Sequence, residues 1–160
     1  MDINSTITLN NGTKIPRLGI GCWRSQSGDV TKNSVLWALE AGYRHIDTAA
    51  IYKNEADVGN AIKESGIARK DIFVTTKLWN TDSRAHRQRE AFEESLDRLG
   101  LDYVDLYLIH WPVENFVESW HELEKIYRSG RAKAIGVSNF KVHHLQTLLN
   151  SAEITPAVDQ

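Results

Sequence analysis

Four side chains able to carry out acid–base chemistry stand near the ends of predicted strands: Asp47, Tyr52, Lys77 and His110. Asp47 ends a short apolar segment, and Tyr52 follows it within one loop length. Lys77 and His110 follow the next two predicted strands. The carboxyl ends of parallel strands meet at one edge of a sheet, where barrel enzymes build their active sites. The spacing therefore predicts that these four side chains share one pocket.

Together, these residue types suit the delivery of a proton to a carbonyl oxygen. A free tyrosine has a pKa of about 10, and a cation such as Lys77 held close is expected to lower the pKa of Tyr52. A buried lysine needs a nearby anion, and Asp47 supplies one. His110 can donate a hydrogen bond to the same oxygen or relay the proton. None of these groups offers a hydride, so a cofactor must supply it.

These residues are positioned by a regular alternation of strands and helices. An Asn11-Gly12 turn predicts an N-terminal β-hairpin. Six strands then begin near residues 18, 45, 72, 104, 133 and 157, and the first five are each followed by a helix with an apolar face. Such repeats form either an open doubly wound sheet or an eight-stranded (β/α)8 TIM barrel. A Rossmann fingerprint would need glycine or alanine where Arg24 stands, so the barrel is favoured.

Polar residues at the predicted helix starts are expected to act as N-caps, because their side chains accept hydrogen bonds from free backbone N–H groups. One of these, Asn115, has Glu118 three residues later and so resembles a capping box. The predicted caps are Asp29 or Thr31, Asn54, Asp82 or Ser83, Asn115 and Asn139.

Composition limits the classes of function. A chain of 160 residues predicts one domain, residues 1–160. Its net charge of −2 gives no field that would attract nucleic acid or an anionic membrane. A single cysteine, Cys22, fits a reducing compartment. The N-terminal sequence has no secretory signal, and no apolar run in the chain is long enough to span a membrane, so we expect a cytoplasmic protein.

The segments around the four residues resemble the aldo-keto reductase family. They occur in the family's order and span nearly the whole chain. The short loop after Pro112 is similar to that of bacterial and protozoan members, which reduce small aldehydes, ketones and diketo acids. The matching segments are Gly42–Ala49, Tyr52, Val74–Trp79, Asp105–Pro112 and Ile135–Phe140.

The resemblance implies a role for each matching residue. Tyr52 would be the general acid, tuned by Lys77 and Asp47, while His110 would orient the carbonyl. The cofactor would be NADPH. Positions matching its binding residues are Gly21, Cys22, Asp47, Ser138, Asn139 and Gln160. Positions matching the substrate pocket are Trp23, Tyr52, Trp79, His110 and Trp111.

The resemblance also implies an eight-stranded barrel, which typically needs about 250 residues. This sequence reaches the sixth predicted strand. We therefore expect a partial, C-terminally truncated barrel whose exposed sheet edges favour self-association, whereas a full-length form would be a monomer. In the family, the last strands hold the diphosphate and 2′-phosphate of the cofactor, so the choice between NADP and NAD stays open.

Two other functions remain as alternatives. One is a non-catalytic nicotinamide-binding or interaction subunit, or an inactive fragment of the reductase. The other is a metal-dependent hydrolase on the same barrel, which would need clustered histidine and carboxylate ligands at the strand ends. Only Asp47 and His110 qualify there, so this alternative is the weaker, and no metal site is predicted.

Overall fold

A five-stranded parallel sheet, preceded by an antiparallel hairpin, forms the framework of the protein. The structure is a computed structural model and describes residues 2–160. The sheet order is β3-β4-β5-β6-β7, so consecutive βα units lie side by side, as in a barrel wall. The hairpin strands are β1 (Thr6–Thr8) and β2 (Lys14–Pro16). The sheet strands are β3 (Ile20–Gly21), β4 (His45–Asp47), β5 (Phe73–Leu78), β6 (Val104–Ile109) and β7 (Ala132–Val137).

Helices cover the outer face of the sheet, and most of the apolar core lies between the two layers. The inner face buries a smaller cluster that includes Phe73 and Leu108, against which Leu9 and Ile15 of the hairpin region pack. The predicted hairpin is thus present and covers one end of the sheet. The helices are α1 (Asp29–Glu40), α2 (Glu55–Glu64), α3 (Asn80–Arg84), α4 (Gln88–Leu99), α5 (Phe116–Arg128) and α6 (Val142–Leu149).

The predicted sixth strand is present only as a short bridged segment. Asp159 forms a parallel bridge with Val137, and the Ala157 N–H donates to the Ile135 carbonyl at 2.9 Å. Pairing begins just after Pro156, which has no N–H to donate. The sheet therefore has five strands and one bridged segment, with β3 at the opposite edge. Among residues 2–160, no helix is long and apolar enough to cross a membrane.

The prediction of side-chain N-caps was wrong, even where the predicted residue occupies the cap position. Asn54 and Asn115 stand at the N-caps of α2 and α5, but neither side chain caps its helix. Asn54 donates instead to the carbonyl oxygens of Cys22 and Ser25. The amide of Asn115 donates to the carbonyl oxygen of Ser83. These amides connect neighbouring loops, which the local sequence around a helix start does not reveal.

Three other helix starts also differ from the prediction. Gly28, rather than Asp29 or Thr31, is the N-cap of α1. The helix expected from Asp82 is two helices, because His86 has a positive φ of 55° and interrupts the chain between α3 and α4. Lys141, not Asn139, is the N-cap of α6.

Candidate active site

Each of the four predicted acid–base residues lies at the carboxyl edge of the sheet. Asp47 is the last residue of β4, and His110 directly follows β6. Tyr52 ends a single 3-10 turn, Ala50–Tyr52, in the loop between β4 and α2. Lys77 lies within β5, one residue before its end, rather than after the strand as predicted. Its ammonium group therefore reaches Asp47 from a strand position and not from the loop that follows β5.

Lys77 and Asp47 form an ion pair at the base of this site. Lys77 is fully buried, and its ammonium group also donates to the Thr48 carbonyl oxygen at 3.0 Å. Burial lowers the pKa of Lys77, and the carboxylate of Asp47 opposes that shift. The predicted need of this lysine for an anionic partner is therefore met.

Tyr52 lies over this ion pair. The Lys77 ammonium nitrogen is 5.2 Å from the centroid of the phenol ring. The expectation that Lys77 lowers the pKa of Tyr52 was wrong. Burial, followed by the negative charge of Asp47, raises the pKa of Tyr52 to about 12. The phenol therefore stays protonated well above neutral pH.

His110 packs edge-on against two aromatic rings of the site. Its ring centroid lies 5.7 Å from that of Tyr52 and 5.3 Å from that of Trp79. Burial, assisted by the charge of Lys77, lowers the pKa of His110 to about 4. Its Nδ1 atom is buried and has no hydrogen-bond partner among residues 2–160. The imidazole is therefore neutral near pH 7 and carries a single N–H.

Ser138, Asn139 and Gln160 form the wall of the site beyond His110. The side-chain amide of Asn139 donates to the His110 carbonyl oxygen at 2.9 Å, and its backbone has a positive φ of 62°, which asparagine tolerates. The Asn139 N–H donates to the Gln160 carbonyl oxygen at 3.0 Å. The Gln160 amide in turn donates to the Asp47 carboxylate at 2.8 Å. The predicted cofactor residues thus connect to the ion pair.

Gly21 and Cys22 lie at the end of β3, on the opposite side of Asp47. The Cys22 N–H donates to the Asp47 carbonyl oxygen at 2.8 Å, and burial raises the pKa of the Cys22 thiol to about 12. This thiol is therefore neutral and a poor nucleophile. A Cβ atom at Gly21 would meet no atom within 4 Å, so this strand end is open on the side of the missing side chain.

Tyr52, His110 and the wall residues 138, 139 and 160 line an open cleft of about 540 Å³. The ion pair and the end of β3 lie outside its lining. The three predicted tryptophans all line it, and Trp23 and Trp111 are 65% and 45% exposed. They are therefore walls of the cleft rather than core residues. Among residues 2–160, no three histidine, cysteine or acidic side chains cluster as a metal site. The lining residues are Trp23, Arg24, Ser25, Ile51, Tyr52, Trp79, His110, Trp111, Ser138, Asn139 and Gln160.

Three lining residues were not predicted: Arg24, Ser25 and Ile51. Arg24 and Ser25 directly follow Trp23 in the loop after β3, and Ile51 directly precedes Tyr52. Adjacency to a predicted residue was the available signal. Arg24 stacks on the ring of Trp23, with 4.4 Å between its guanidinium carbon and the ring centroid. The loop thus presents a cation at the mouth of the cleft.

The model of the aldo/keto reductase family matches residues 17–160, a range that includes all four acid–base residues. The chain belongs to the aldo/keto reductase family. The N-terminal hairpin lies outside the matched range.

Aldo/keto reductase relatives resemble this chain over almost all of its length. The chain is 54% identical to the 9,11-endoperoxide prostaglandin H2 reductase of Trypanosoma cruzi, covering 96% of this chain and 55% of that protein. It is 52% identical to the glyoxal reductase of Bacillus subtilis, covering 99% of this chain and 58% of that protein. The chain therefore spans a little over half the length of these relatives.

A solved structure of the family has the same fold. The aldo-keto reductase of Bombyx mori, in complex with NADP, superimposes with a TM-score of 0.92 at 38% identity. The match covers 99% of this chain and 58% of the other. The parallel sheet and its helices thus correspond to part of an aldo/keto reductase barrel.

Proposed function

We propose that this chain carries the acid–base half of an NADPH-dependent reductase that converts small aldehydes and ketones to alcohols. The observation that supports this most strongly is the arrangement of Tyr52 over the Lys77–Asp47 ion pair, 5.2 Å from the lysine nitrogen to the ring centroid. Beside it lies a neutral His110. We take residues 1–160 as one domain of the family.

In this proposal, bound NADPH supplies the hydride to the carbonyl carbon. Tyr52 donates its hydroxyl proton to the carbonyl oxygen, and a phenolate remains on Tyr52. The ammonium group of Lys77 stabilises this phenolate electrostatically, while Asp47 keeps the buried lysine charged. The single N–H of neutral His110 orients the carbonyl oxygen toward the phenol.

The polar wall of the cleft fits a nicotinamide carboxamide. The Asn139 amide already donates to the His110 carbonyl oxygen and to the Ser138 hydroxyl, which leaves its own oxygen to accept a carboxamide N–H. Gln160 can donate from its side-chain amide. The open side of Gly21 leaves room for a flat ring beside the strand end. Cys22 and Asp47 complete the proposed cofactor set.

The cleft suits a small carbonyl substrate. Trp23, Trp79 and Trp111 form aromatic walls around Tyr52 and His110, and aromatic linings with a few polar groups are typical of small-molecule sites. A relative that is 52% identical is named a glyoxal reductase. Short aldehydes and dicarbonyls are therefore the first substrates to test.

The proposal is tested by following NADPH absorbance during incubation with glyoxal, methylglyoxal and an aromatic aldehyde. Two forms are assayed. One is the 160-residue chain. The other, called the chimera, is this chain followed by the C-terminal part of the Bacillus subtilis glyoxal reductase that the match does not cover. We expect the chimera to oxidise NADPH only when a carbonyl compound is present. Binding of NADPH without turnover of any carbonyl would instead support the non-catalytic alternative.

A further inference from the structure

The loop that carries Tyr52 ends in two buried polar residues outside the cleft lining, Asn54 and Glu55, which are 0% and 1% exposed. Asn54 holds the loop toward β3 through its bonds to the Cys22 and Ser25 carbonyl oxygens. Glu55 extends in the other direction, toward β5. A buried carboxylate is costly unless it is fully paired, so its partners indicate what it does.

Glu55 has one partner for each carboxylate oxygen. Oε1 accepts a hydrogen bond from the Thr76 hydroxyl at 2.5 Å. Oε2 accepts one from the Arg98 Nε at 2.7 Å. Glu55 is the first residue of α2, where the helix dipole also favours a negative charge. The carboxylate therefore joins three elements: the start of α2, the strand β5 and the helix α4.

Thr76 immediately precedes Lys77 in β5. Side chains alternate between the two faces of a strand, so Thr76 points to the helix layer while Lys77 points to the inner face and its partner Asp47. Tyr107, which is paired with Thr76 in the sheet, packs on Phe92 of α4 in that helix layer. Glu55 therefore contacts β5 on the helix-facing side of the sheet, at the residue next to Lys77, which faces Tyr52 from the inner side.

The two helices that hold this contact are closely packed. A Cβ atom at Gly59 in α2 would lie 2.0 Å from the Leu99 carbonyl oxygen of α4. Only glycine permits this approach. This contact sets the distance between α2 and α4 next to Arg98. It therefore also holds Arg98 within reach of Glu55.

We propose that Glu55 is a positioning residue that fixes the Tyr52 loop against β5 and thereby sets the position of the phenol relative to Lys77. The kinetic part of this inference rests on the proposed reductase function. The structural part does not. A carboxylate suits this position because both of its oxygens accept hydrogen bonds. A glutamine would lose the charge that pairs with Arg98, and its NH2 group would meet either the Arg98 donor or a Thr76 hydroxyl that would have to accept instead of donate.

The most direct test removes only the contact with β5. Thr76→Val replaces the hydroxyl with a methyl group of similar size, and Thr76→Ser keeps the hydroxyl. Glu124→Gln is the control, since Glu124 is equally buried at 1% exposure and accepts the N–H groups of Glu153 and Ile154 away from the cleft.

Amide hydrogen exchange of residues 48–54 in the 160-residue chain measures the structural part. We expect Thr76→Val and Glu55→Gln to increase exchange there by about fivefold or more, because the loop opens more readily. Thr76→Ser and Glu124→Gln are expected to leave exchange at residues 48–54 unchanged. Unchanged exchange in a folded Thr76→Val variant would overturn the inference, whatever the enzyme assay gives.

The kinetic part is measured in the form that turns over carbonyl compounds. We expect Thr76→Val to lower kcat by about tenfold with KM changed less than about twofold, since misplaced catalytic groups slow the chemical step rather than binding. Thr76→Ser should restore kcat, and Glu124→Gln should leave it unchanged. A kcat loss that Thr76→Ser does not restore would contradict positioning through this hydroxyl. Failure of the unsubstituted chimera to turn over would count against the proposed function, while the exchange result would still decide the role of Glu55.

Discussion

At the scale of single residues, the proposed acid Tyr52 has a high pKa, of about 12, and not the lowered one that its residue type and neighbouring lysine suggested. The main cause is burial of the phenol, and the negative charge of Asp47, which pairs with Lys77, further disfavours the phenolate. A weak acid of this kind is fully protonated at neutral pH, so every enzyme molecule would hold a transferable proton.

The pH dependence of reduction follows from these shifts. Tyr52 loses its proton only as the pH rises toward about 12, and His110 gains one only as the pH falls toward about 4. We therefore expect kcat for carbonyl reduction by the chimera to be nearly constant between about pH 6 and about pH 9. Stopped-flow or steady-state rates, with circular dichroism recorded at each pH as a control for folding, check this. A fall in kcat centred near pH 7 would show that Lys77 lowers the pKa of Tyr52 after all.

The four acid–base residues could be predicted from sequence because their types and their positions after strands are both local signals. The pKa of Tyr52 could not, because it depends on burial and on the distance to the charge of Asp47, which only the folded chain sets. Asn54 was predicted to be a helix cap from a local signal too, because asparagine at the start of a helix usually caps it. Only the structure places the Cys22 and Ser25 carbonyl groups within reach of its amide.

At the scale of elements, the periodic strands and helices were predictable because each βα unit buries its own apolar face. Side-chain contacts between one unit and the next were not. Glu55 joins α2 to β5 and α4 across 21 and 43 residues of sequence, and no local pattern indicates such partners. The same holds for His86, whose positive φ divides one predicted helix into two.

Asn54 offers a test at this scale. Its side chain accepts from the Thr48 hydroxyl at 2.8 Å and donates to Cys22 and Ser25. Asn54→Ala removes these three hydrogen bonds and leaves the buried Thr48 hydroxyl and the half-buried Ser25 carbonyl without this partner, while the Cys22 carbonyl keeps the Ser25 N–H. We expect the free energy of unfolding to fall by about 3 kcal/mol. Urea denaturation of the 160-residue chain measures it.

The matched control is Asn60→Ala, at an exposed position of α2. Its effect should stay within about 0.5 kcal/mol. Equal effects of the two substitutions would show that the bonds of Asn54 contribute little to the connection between the loops after β3 and β4.

At the scale of the whole molecule, the sheet brings the ends of β3 to β7 to one edge, and the cleft forms there. Trp23, Trp79 and Trp111 line this cleft, whereas Trp37 lies on α1, outside the cleft lining, and is 65% exposed. Cofactor binding in the cleft should therefore be visible in tryptophan fluorescence.

Titration of NADPH into the chimera is expected to quench this fluorescence with saturation. Trp79→Phe should reduce the amplitude of quenching, and Trp37→Phe should leave the absolute decrease unchanged. A saturable decrease that depends on Trp37 rather than on the cleft tryptophans would place the nicotinamide elsewhere. The same titration of the 160-residue chain measures how much of the cofactor affinity of the chimera residues 1–160 supply.

Proton delivery by Tyr52 is tested by comparing the NADPH oxidation rates of the chimera and of its Tyr52→Phe variant with methylglyoxal as the substrate. Phenylalanine keeps the ring over Lys77 and removes only the hydroxyl. We predict a fall in kcat of at least about 100-fold, in the range typical of losing a general acid, with quenching by NADPH retained. Full activity of Tyr52→Phe in a chimera that oxidises NADPH would show that Tyr52 does not deliver the proton.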